Sequence, residues 1–301
     1  MLLLEILLIS GLVLIIAAVI VVVIASRNFN NTFKQNAAKL FSSQSKLERK
    51  VVSEEDIRDL PEPVQRYLRY TGIIGRQRVA FVRLKQTGTM RPKPDGKWFP
   101  LKAEEYYTVD NPGFVWKGCM AVASLFSATA QDMYLNGEGN MHVKLMSAIN
   151  IVNAKGKEMD EASLMRYFNE MQWFPSSLVG DNVKWEVIDA NSARSTLTDR
   201  GMTVSAIFCF DKEGKITNFI AERGRSTDGG KLVRTKWSTP ISEYRTYGNG
   251  LRLPSKGEAI WHLDSGEYSY IKLEITEVEY DNPSLYFYHR RCTEADKCRN
   301  A

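Results

Sequence analysis

The sequence predicts an α+β protein: an N-terminal transmembrane helix, then a curved, mainly antiparallel β-sheet, similar to a half-barrel, that packs on a few helices. Two observations predict this class. Residues 6–24 form an uncharged apolar run. After residue 77, most of the chain consists of short segments in which apolar and polar residues alternate, as they do in half-buried strands. Strands and helices do not alternate regularly, so a doubly wound parallel fold is not indicated.

The apolar run is the first element, and we predict a membrane anchor over residues 1–26. As a helix, residues 6–24 span about 28 Å at about 1.5 Å per residue, close to the hydrocarbon thickness of a bilayer. A signal peptide usually carries Lys or Arg before its apolar run, whereas here only Glu5 is charged. Four cations follow the run and favour a cytoplasmic domain on a single-pass protein: Arg27, Lys34, Lys39 and Lys46. A periplasmic domain is the alternative, because it fits the predicted fold better.

Residues 27–52 predict a basic amphipathic helix that links the anchor to the domain. Its apolar residues recur at helical spacing: Phe33, Ala37, Leu40, Phe41 and Leu47. Such a helix can lie among the lipid head groups, or it can pack on its own domain. The pattern leaves both alternatives open.

Residues 53–76 predict two short helices. Ser53 and Asp56 have the spacing of a capping box, which favours a helix start at this point. Pro63 suits the first turn of the second helix, and Gly72 suits its C-terminal cap.

Residues 77–281 predict a β-rich domain of about ten strands, and residues 282–301 a C-terminal tail. One helix interrupts the strands at 159–172, before the helix-stopping Trp173-Phe-Pro175. Candidate strands with extended or alternating patterns are residues 79–90, 98–109, 114–120, 133–137, 141–146, 183–187, 193–198, 202–210, 216–221, 233–238, 259–262 and 270–275.

Composition and motifs exclude several function classes. Hydrophobic residues make up 44% and charged residues 25% of the chain, which is typical of a globular protein. A net charge of +5 is too mild to indicate nucleic acid binding. Patterns for nucleotide, dinucleotide and acyl-transfer sites are absent, and His142, His262 and His289 show no metal spacing. We therefore expect no cofactor and no metal.

Four cysteines are scattered through the chain, and their spacing matches neither a zinc site nor a redox pair: Cys119, Cys209, Cys292 and Cys298. We expect free or incidental thiols. A bridge between Cys292 and Cys298 is the alternative.

Several segments resemble an uncharacterised, mainly bacterial family labelled as a domain of unknown function. The matching residues are LPEPVQRYL at 60–68, QTGTMR at 86–91, Trp98, GEG at 137–139 and Arg166-x-x-x-Glu170-x-x-Trp173-Phe-Pro at 166–175. By order of elements, the chain is also distantly similar to the half-barrels of lipoprotein carriers, which fold a curved sheet over helices. These resemblances imply a fold and assign no catalytic or binding residues.

Charged residues within apolar sequence are the candidate ligand-binding residues. Arg166 and Glu170 lie four residues apart, on one face of the predicted helix. They form either a polar clamp for a ligand head group or a salt bridge that ties the helix to the sheet. Asp132 and Arg223 lie in apolar strand sequence, and Asp132 needs a partner such as Arg223 or Arg166.

Two further predictions concern neighbouring residues. Trp173, at the end of the helix, completes the candidate ligand-binding set as one of the aromatic residues that can line an apolar cavity. Glu104 and Glu105 are adjacent on a predicted strand and therefore point to opposite faces. They cannot act together as an acid and base pair.

Three function hypotheses follow. The first is a membrane-anchored domain that binds an apolar or amphiphilic ligand, such as a lipid, without chemistry. The second is a membrane-tethered hydrolase or isomerase that uses these charged residues, and it requires two of them to converge in one pocket. The third is a scaffold for a membrane-protein partner, which would show a large exposed apolar patch in place of a cavity.

Overall fold

The computed structural model describes residues 2–44, 50–123, 126–226 and 232–286. Its helices are α1 (Leu2–Ser43), α2 (Glu54–Ile57), α3 (Glu62–Thr71) and α4 (Lys157–Glu170), and two short 3-10 turns follow α4 at Met171–Trp173 and Pro175–Val179. The strands are β1 (Phe81–Met90), β2 (Phe99–Thr108), β3 (Gly113–Ala123), β4 (Phe126–Leu135), β5 (Glu138–Leu145), β6 (Ile149–Lys155), β7 (Val183–Asp189), β8 (Ser192–Asp199), β9 (Met202–Phe210), β10 (Ile216–Ser226), β11 (Leu232–Ser238), β12 (Ile241–Thr246), β13 (Arg252–Leu263) and β14 (Gly266–Tyr280).

All of these strands belong to one antiparallel sheet, which confirms the predicted fold class. The order is β6-β5-β4-β3-β2-β1-β14-β13-β11-β10-β9-β8-β7, and β12 pairs with β13. Helix α4 packs on β4 and β5 in one arm of the sheet and on β9 and β10 in the other. The sheet therefore curls around α4, whose buried residues join the main core.

The sheet has fourteen strands within the described residues, more than the ten or so predicted. Each predicted segment overlaps an observed strand, but β6 and β12 were not predicted. Strand β6 is an outer strand of the sheet, exposed at almost every position, so it lacks the alternation that marks a half-buried strand. Strand β12 is short and lies off the main path of the sheet.

The apolar and amphipathic segments form one continuous helix, α1. Its C-terminal part packs on β2 and β3 and buries Phe29, Phe33, Ala37 and Leu40. Of the two alternatives for the amphipathic segment, the structure favours packing on its own domain. Leu47, which was assigned to the same face, lies outside the described residues.

The N-terminal half of α1 makes no such contact. Its most apolar window has no buried residue, and α1 is long and apolar enough to cross a membrane. Signal sequences near an N-terminus share this length and apolar composition.

The local signals after α1 are present in the structure. Ser53 and Asp56 form the capping box of α2, and Gly72 ends α3 in the left-handed conformation with φ 79°.

Cys209 is free, but Cys119 is disulfide-bonded, so the expectation of a free thiol is wrong at Cys119. Cys292 and Cys298 lie outside the described residues.

Candidate functional site

Helix α4 is held close to β5 by a glycine and a carboxylate. A Cβ atom at Gly139 would lie 2.4 Å from the carbonyl oxygen of Met159, so only glycine permits this approach without a shift. The Gly139 N–H donates to Asp160 Oδ1 at 2.7 Å. Two turns further along the helix, the Tyr167 hydroxyl donates to the Thr108 carbonyl at 3.0 Å. These contacts fix which α4 side chains face the concave side of the sheet.

Arg166 of α4 lies at the centre of a buried ionic group that we call the Arg166 cluster (Arg166, Glu105, Asp132 and Glu170). Its Nε donates to Glu170 Oε1 at 2.9 Å, its Nη1 to Asp132 Oδ2 at 2.7 Å, and its Nη2 to Glu105 Oε1 at 2.9 Å. All three carboxylates are almost fully buried, and they come from β2, β4 and α4. The cluster therefore ties the helix to two strands.

Neighbouring side chains hold the cluster in place. The guanidinium carbon lies 4.9 Å from the ring centre of Phe114 and 5.0 Å from that of Trp116. The Trp116 indole donates to Gln86 Oε1 at 2.9 Å, and the Gln86 amide donates to Glu105 Oε2 at 3.2 Å. These contacts hold the guanidinium group and the Glu105 carboxyl group in fixed positions.

The Arg166 cluster contains three carboxyl groups and one guanidinium group. Burial raises the pKa of Glu105 well above its usual range, although Arg166 opposes the rise. Burial also raises the pKa of Glu170 against the same opposing charge. Burial lowers the pKa of Arg166, but the surrounding carboxylates outweigh this and hold it well above its usual range. Burial thus raises the pKa of Glu105, while the surrounding carboxyl groups favour the charged form of Arg166.

The structure brings together three of the five predicted site residues in this cluster. The Arg166 to Glu170 pair and the Arg166 to Asp132 pair are confirmed. Glu105 was not predicted to take part, although its position opposite to Glu104 on the strand is as expected, because Glu104 pairs with Lys117 on the convex face. The alternation of Leu101, Glu105 and Tyr107 on the buried face was the available signal.

A cavity of about 200 Å³ adjoins the cluster on the concave side of the sheet. This is roughly ten or more times the space that one water molecule needs. Asp132, Arg166, Glu170 and Trp173 contribute to its wall, so the predicted site residues lie at the cavity. Most of the wall is apolar and includes Met90, Leu101, Met120, Ala128, Ala130, Met141, Val143, Ile241, Ile271, Leu273 and Ile275.

Residues that pair across neighbouring strands form successive rows along the cavity wall. The deepest row pairs Glu105 with Trp116, then Asp132, then Met141. The next row on these strands contains Ala103, Gly118, Ala130 and Val143. The third contains Leu101, Met120 and Ala128, with Met90 and Ile271 paired beyond it. The cavity therefore runs along the strands, with the charged groups at one end and apolar groups at the other.

Four polar atoms of the cavity wall are buried without a hydrogen-bond partner within the described part of the chain. Two are acceptors, Asp132 Oδ1 and Gln172 Oε1, and two belong to donors, Trp173 Nε1 and Ser255 Oγ. A buried polar atom without a partner costs roughly 1–3 kcal/mol. These atoms mark the places where a ligand's polar group would be stabilised.

Arg223 lies on the other arm of the sheet and is not part of the cluster. Its guanidinium lies over the ring of Trp237 at 4.7 Å, and its Nε donates to the Ala162 carbonyl at 3.1 Å. It still lines the cavity. The alternative pairing of Asp132 with Arg223 is not formed, since Asp132 pairs with Arg166.

Across the described ranges, no group of three or more His, Cys, Asp or Glu side chains is arranged to hold a metal ion. The carboxylates of the Arg166 cluster surround a guanidinium instead.

Comparison with known sequences places the site within a recognised domain. A model described as "Family of unknown function (DUF6544)" matches residues 50–273, most of the chain. No curated protein matches the chain. The matched segment includes the Arg166 cluster and most of the strands that form the cavity.

Three solved structures are similar at low identity. A domain from Vibrio parahaemolyticus named for outer membrane lipoprotein sorting is 8% identical, covers 67% of this chain and 86% of its own, and has a TM-score of 0.36. A DUF1329 family protein from Desulfovibrio piger is 12% identical, with coverages of 73% and 92% and a TM-score of 0.36. A β-barrel-like DUF1849 protein from Brucella abortus is 9% identical, with coverages of 68% and 99% and a TM-score of 0.30. At these identities and scores, none of the three assigns a function to this chain.

Proposed function

This chain belongs to the family of unknown function DUF6544, and from its own site we propose that it is a membrane-tethered domain that binds an amphiphilic ligand without chemical change. The observation that carries this proposal is a cavity with apolar walls that ends at a buried carboxylate, Asp132, with one unpartnered oxygen among the described residues. Ligand sites typically combine apolar walls with a few convergent polar groups.

The apolar rows suit the hydrocarbon part of the ligand. Met90, Met120 and Met141 contribute flexible thioether side chains, which adapt to irregular apolar shapes. Ala130 leaves space in the middle row, whereas the Trp116 ring fills the place of a side chain at Gly118, where an added Cβ would be 2.1 Å from the ring. A slender chain fits along these rows.

The charged end selects the polar part of the ligand. Each nitrogen of the Arg166 guanidinium is already engaged by a carboxylate, so Arg166 is poorly placed to bind an anion. Asp132 Oδ1 is an acceptor without a partner in the described residues. We therefore expect a head group that donates hydrogen bonds, such as an ammonium, amide or hydroxyl group. The roles of Arg166, Glu170 and Trp173 are to shape this end of the cavity, and Arg223 lines the other wall.

A second candidate function is the hydrolase or isomerase, because one specific observation favours it. Asp132, Glu170 and Arg166 converge at one cavity, and carboxyl groups with raised pKa values are typical of catalytic acids. In this alternative Asp132 would be the base, since its Oδ1 has no partner within the described ranges. Turnover of a bound amphiphile that Asp132→Asn abolishes would support an enzyme over a carrier.

The membrane tether belongs to the same proposal. The docked half of α1 continues without a break into an exposed apolar half, so cleavage near residue 26 would cut through one helix. We expect the chain to stay in the membrane fraction with an intact mass that includes its first residues. A shortened, freely soluble product would contradict the tether.

Two observations point to different sides of the membrane. The cations after the apolar run favour the cytoplasm, whereas the disulfide at Cys119 is typical of an oxidising compartment. Protease added to sealed inside-out vesicles digests a cytoplasmic domain and spares one on the opposite side.

The ligand proposal is tested with the full chain held in amphipol. Dodecylamine, dodecanol and dodecanoate should compete differently for an apolar fluorescent probe in the cavity, with the amine strongest and the carboxylate weakest. Because hydrogen bonds to charged groups contribute about 1.5–3 kcal/mol, Asp132→Asn should weaken dodecylamine binding about tenfold or more. Asp181→Asn, at an exposed turn, is the matched control. Equal competition by the three compounds, or no effect of Asp132→Asn, would contradict the proposal.

A further inference from the structure

The course of α1 across the sheet fixes where its apolar half leaves the domain. The Asn111 amide, in the β2–β3 turn, donates to the Ser43 carbonyl at 3.3 Å. One turn earlier in the helix, Leu40 lies against Gly113 at the start of β3. Phe33 then lies under Lys117, with 4.9 Å between the ammonium nitrogen and the ring centre. Followed from its C-terminal end, α1 thus runs along β3 in the direction from Gly113 to Lys117.

The helix then crosses to β5, where the rings of Phe29 and His142 are 6.4 Å apart. Lys117 and His142 lie in one row of the sheet, so α1 crosses the strands obliquely between these two contacts. The C-terminal end of α1 lies at the β2–β3 turn, and the helix rises from there along β3. Its apolar N-terminal half therefore leaves the domain toward the edge at which β3 and β5 end.

We call this edge the upper edge: the ends of β1, β3 and β5 together with the starts of β2, β4 and β6. It carries large apolar side chains that the fold leaves exposed. Phe126 at the start of β4 is 52% exposed, and Ile149 and Ile151 of β6 are 63% and 57% exposed. Exposed apolar side chains grouped in this way mark an interaction surface.

The apolar end of the cavity lies at the same edge. Its outermost rows contain Met90, the last residue of β1, and Met120 and Ala128, which are close to the β3–β4 turn. Met90 and Met120 are only partly buried, so this end is accessible. The Arg166 cluster lies at the other, deeper end.

We propose that the upper edge lies in the surface of the bilayer that α1 spans, and that the cavity opens toward this bilayer so that its ligand enters from the membrane. The occupant of the apolar edge is the lipid bilayer, because the continuous helix α1 extends its exposed apolar half toward this edge. The docking itself does not depend on the ligand, whereas the entry route rests on the proposed function.

The β1–β2 loop, at the same edge, is suited to a lipid surface. Trp98 follows a loop with Arg91, Lys93 and Lys97 and one acid, Asp95. Tryptophan prefers the membrane interface, and cations attract anionic head groups. Two acids lie at the next turn along the sheet, Asp264 between β13 and β14 and Glu267 at the start of β14, so the apolar side chains provide the main attraction.

The docking is tested by fluorescence quenching in the full chain. Ile149→Trp and, independently, Ile151→Trp are reconstituted in phosphatidylcholine vesicles with and without lipid that carries a nitroxide near the top of an acyl chain. The matched control is Val187→Trp, since Val187 of β7 is 69% exposed. Antiparallel alternation along the strand order puts the end of β7, next to Val187, at the opposite edge, where β1 begins.

The emission added at residues 149 and 151 should be lost in nitroxide lipid and shifted to the blue, and that added at residue 187 should not. Persistence of the emission at both 149 and 151 overturns the proposal, and so does equal loss at 187. Because no ligand is present, an empty cavity does not affect this result. The amphipol titration contains no bilayer, so failure of the ligand proposal is detected separately.

Discussion

Arg166 is the residue on which the site depends, because three carboxyl groups from two strands and a helix meet on its guanidinium. A buried ion pair of this kind contributes little net stability compared with an apolar replacement of the whole group, but removal of one partner leaves the others uncompensated. The cluster therefore has a structural role at the same time as it shapes the end of the cavity.

Arg166→Met should destabilise the fold strongly, since it leaves three buried carboxyl groups without their cation. We expect the free energy of unfolding to fall by about 3–5 kcal/mol, measured by chemical denaturation. Arg234→Met, which removes an exposed pair with Glu161, is the control and should have little effect. A similar small change in both variants would show that the cluster does not hold α4 to the sheet.

Glu105→Gln should change how stability depends on pH. Because burial raises the pKa of Glu105 in the folded state, its contribution is complete below the ordinary pKa of about 4.5 and is lost as the pH rises through the raised value. Glutamine mimics the protonated form. The variant should therefore gain stability relative to the natural protein as the pH rises, measured as the difference in Tm across the pH range. A constant difference would contradict a raised pKa.

Part of this site was predictable from the sequence. The spacing of Arg166 and Glu170 on one helix predicted their contact, and Asp132 needed a cation because it lies in apolar sequence. The contact of Glu105 with Arg166 could not be predicted from residue spacing. Alternation assigned it to one face of β2, but only the curl of the sheet around α4 decides that this face meets Arg166, which is 61 residues away.

At the scale of elements, helix α4 encloses the cavity, because it packs against both arms of the curled sheet. Its existence and its end before Trp173 were predicted from helical spacing and Pro175. Strands with clear alternation were also predicted. The outer strand β6 was not, because it has little buried face to impose alternation, and the packing of α1 was only one of two alternatives.

Gly139→Ala tests how closely α4 must approach β5. The added methyl group would lie 2.4 Å from the Met159 carbonyl oxygen, so the helix must shift. Overpacking of this kind costs about 1–3 kcal/mol, and the Tm should fall accordingly. Gly248→Ala is the control, because no atom of the described residues lies within 4 Å of the position that its methyl group would take. Equal Tm values for the two variants would mean that α4 is free to move away from the sheet.

At the scale of the whole molecule, helix α1, the upper edge and the cavity share one orientation. The exposed half of α1, the apolar upper edge and the outer rows of the cavity lie toward one end, and the Arg166 cluster lies deeper in the sheet. This arrangement suits a domain that takes an amphiphile from the bilayer with its polar group leading toward Asp132. The sequence predicted the anchor and the curved sheet separately, but their relative direction follows only from the contacts of Phe29, Phe33 and Leu40.

The central claim is that the cavity holds an amphiphile, and mass spectrometry of ligands released from the purified full chain tests it most directly. We predict that an amphiphile with a hydrogen-bond donor in its head group is released from the natural protein and from Ala190→Phe, at an exposed turn. It should be absent from Ala130→Phe, which fills the middle row of the cavity. The same released material from all three, or none from the natural protein, would contradict the account.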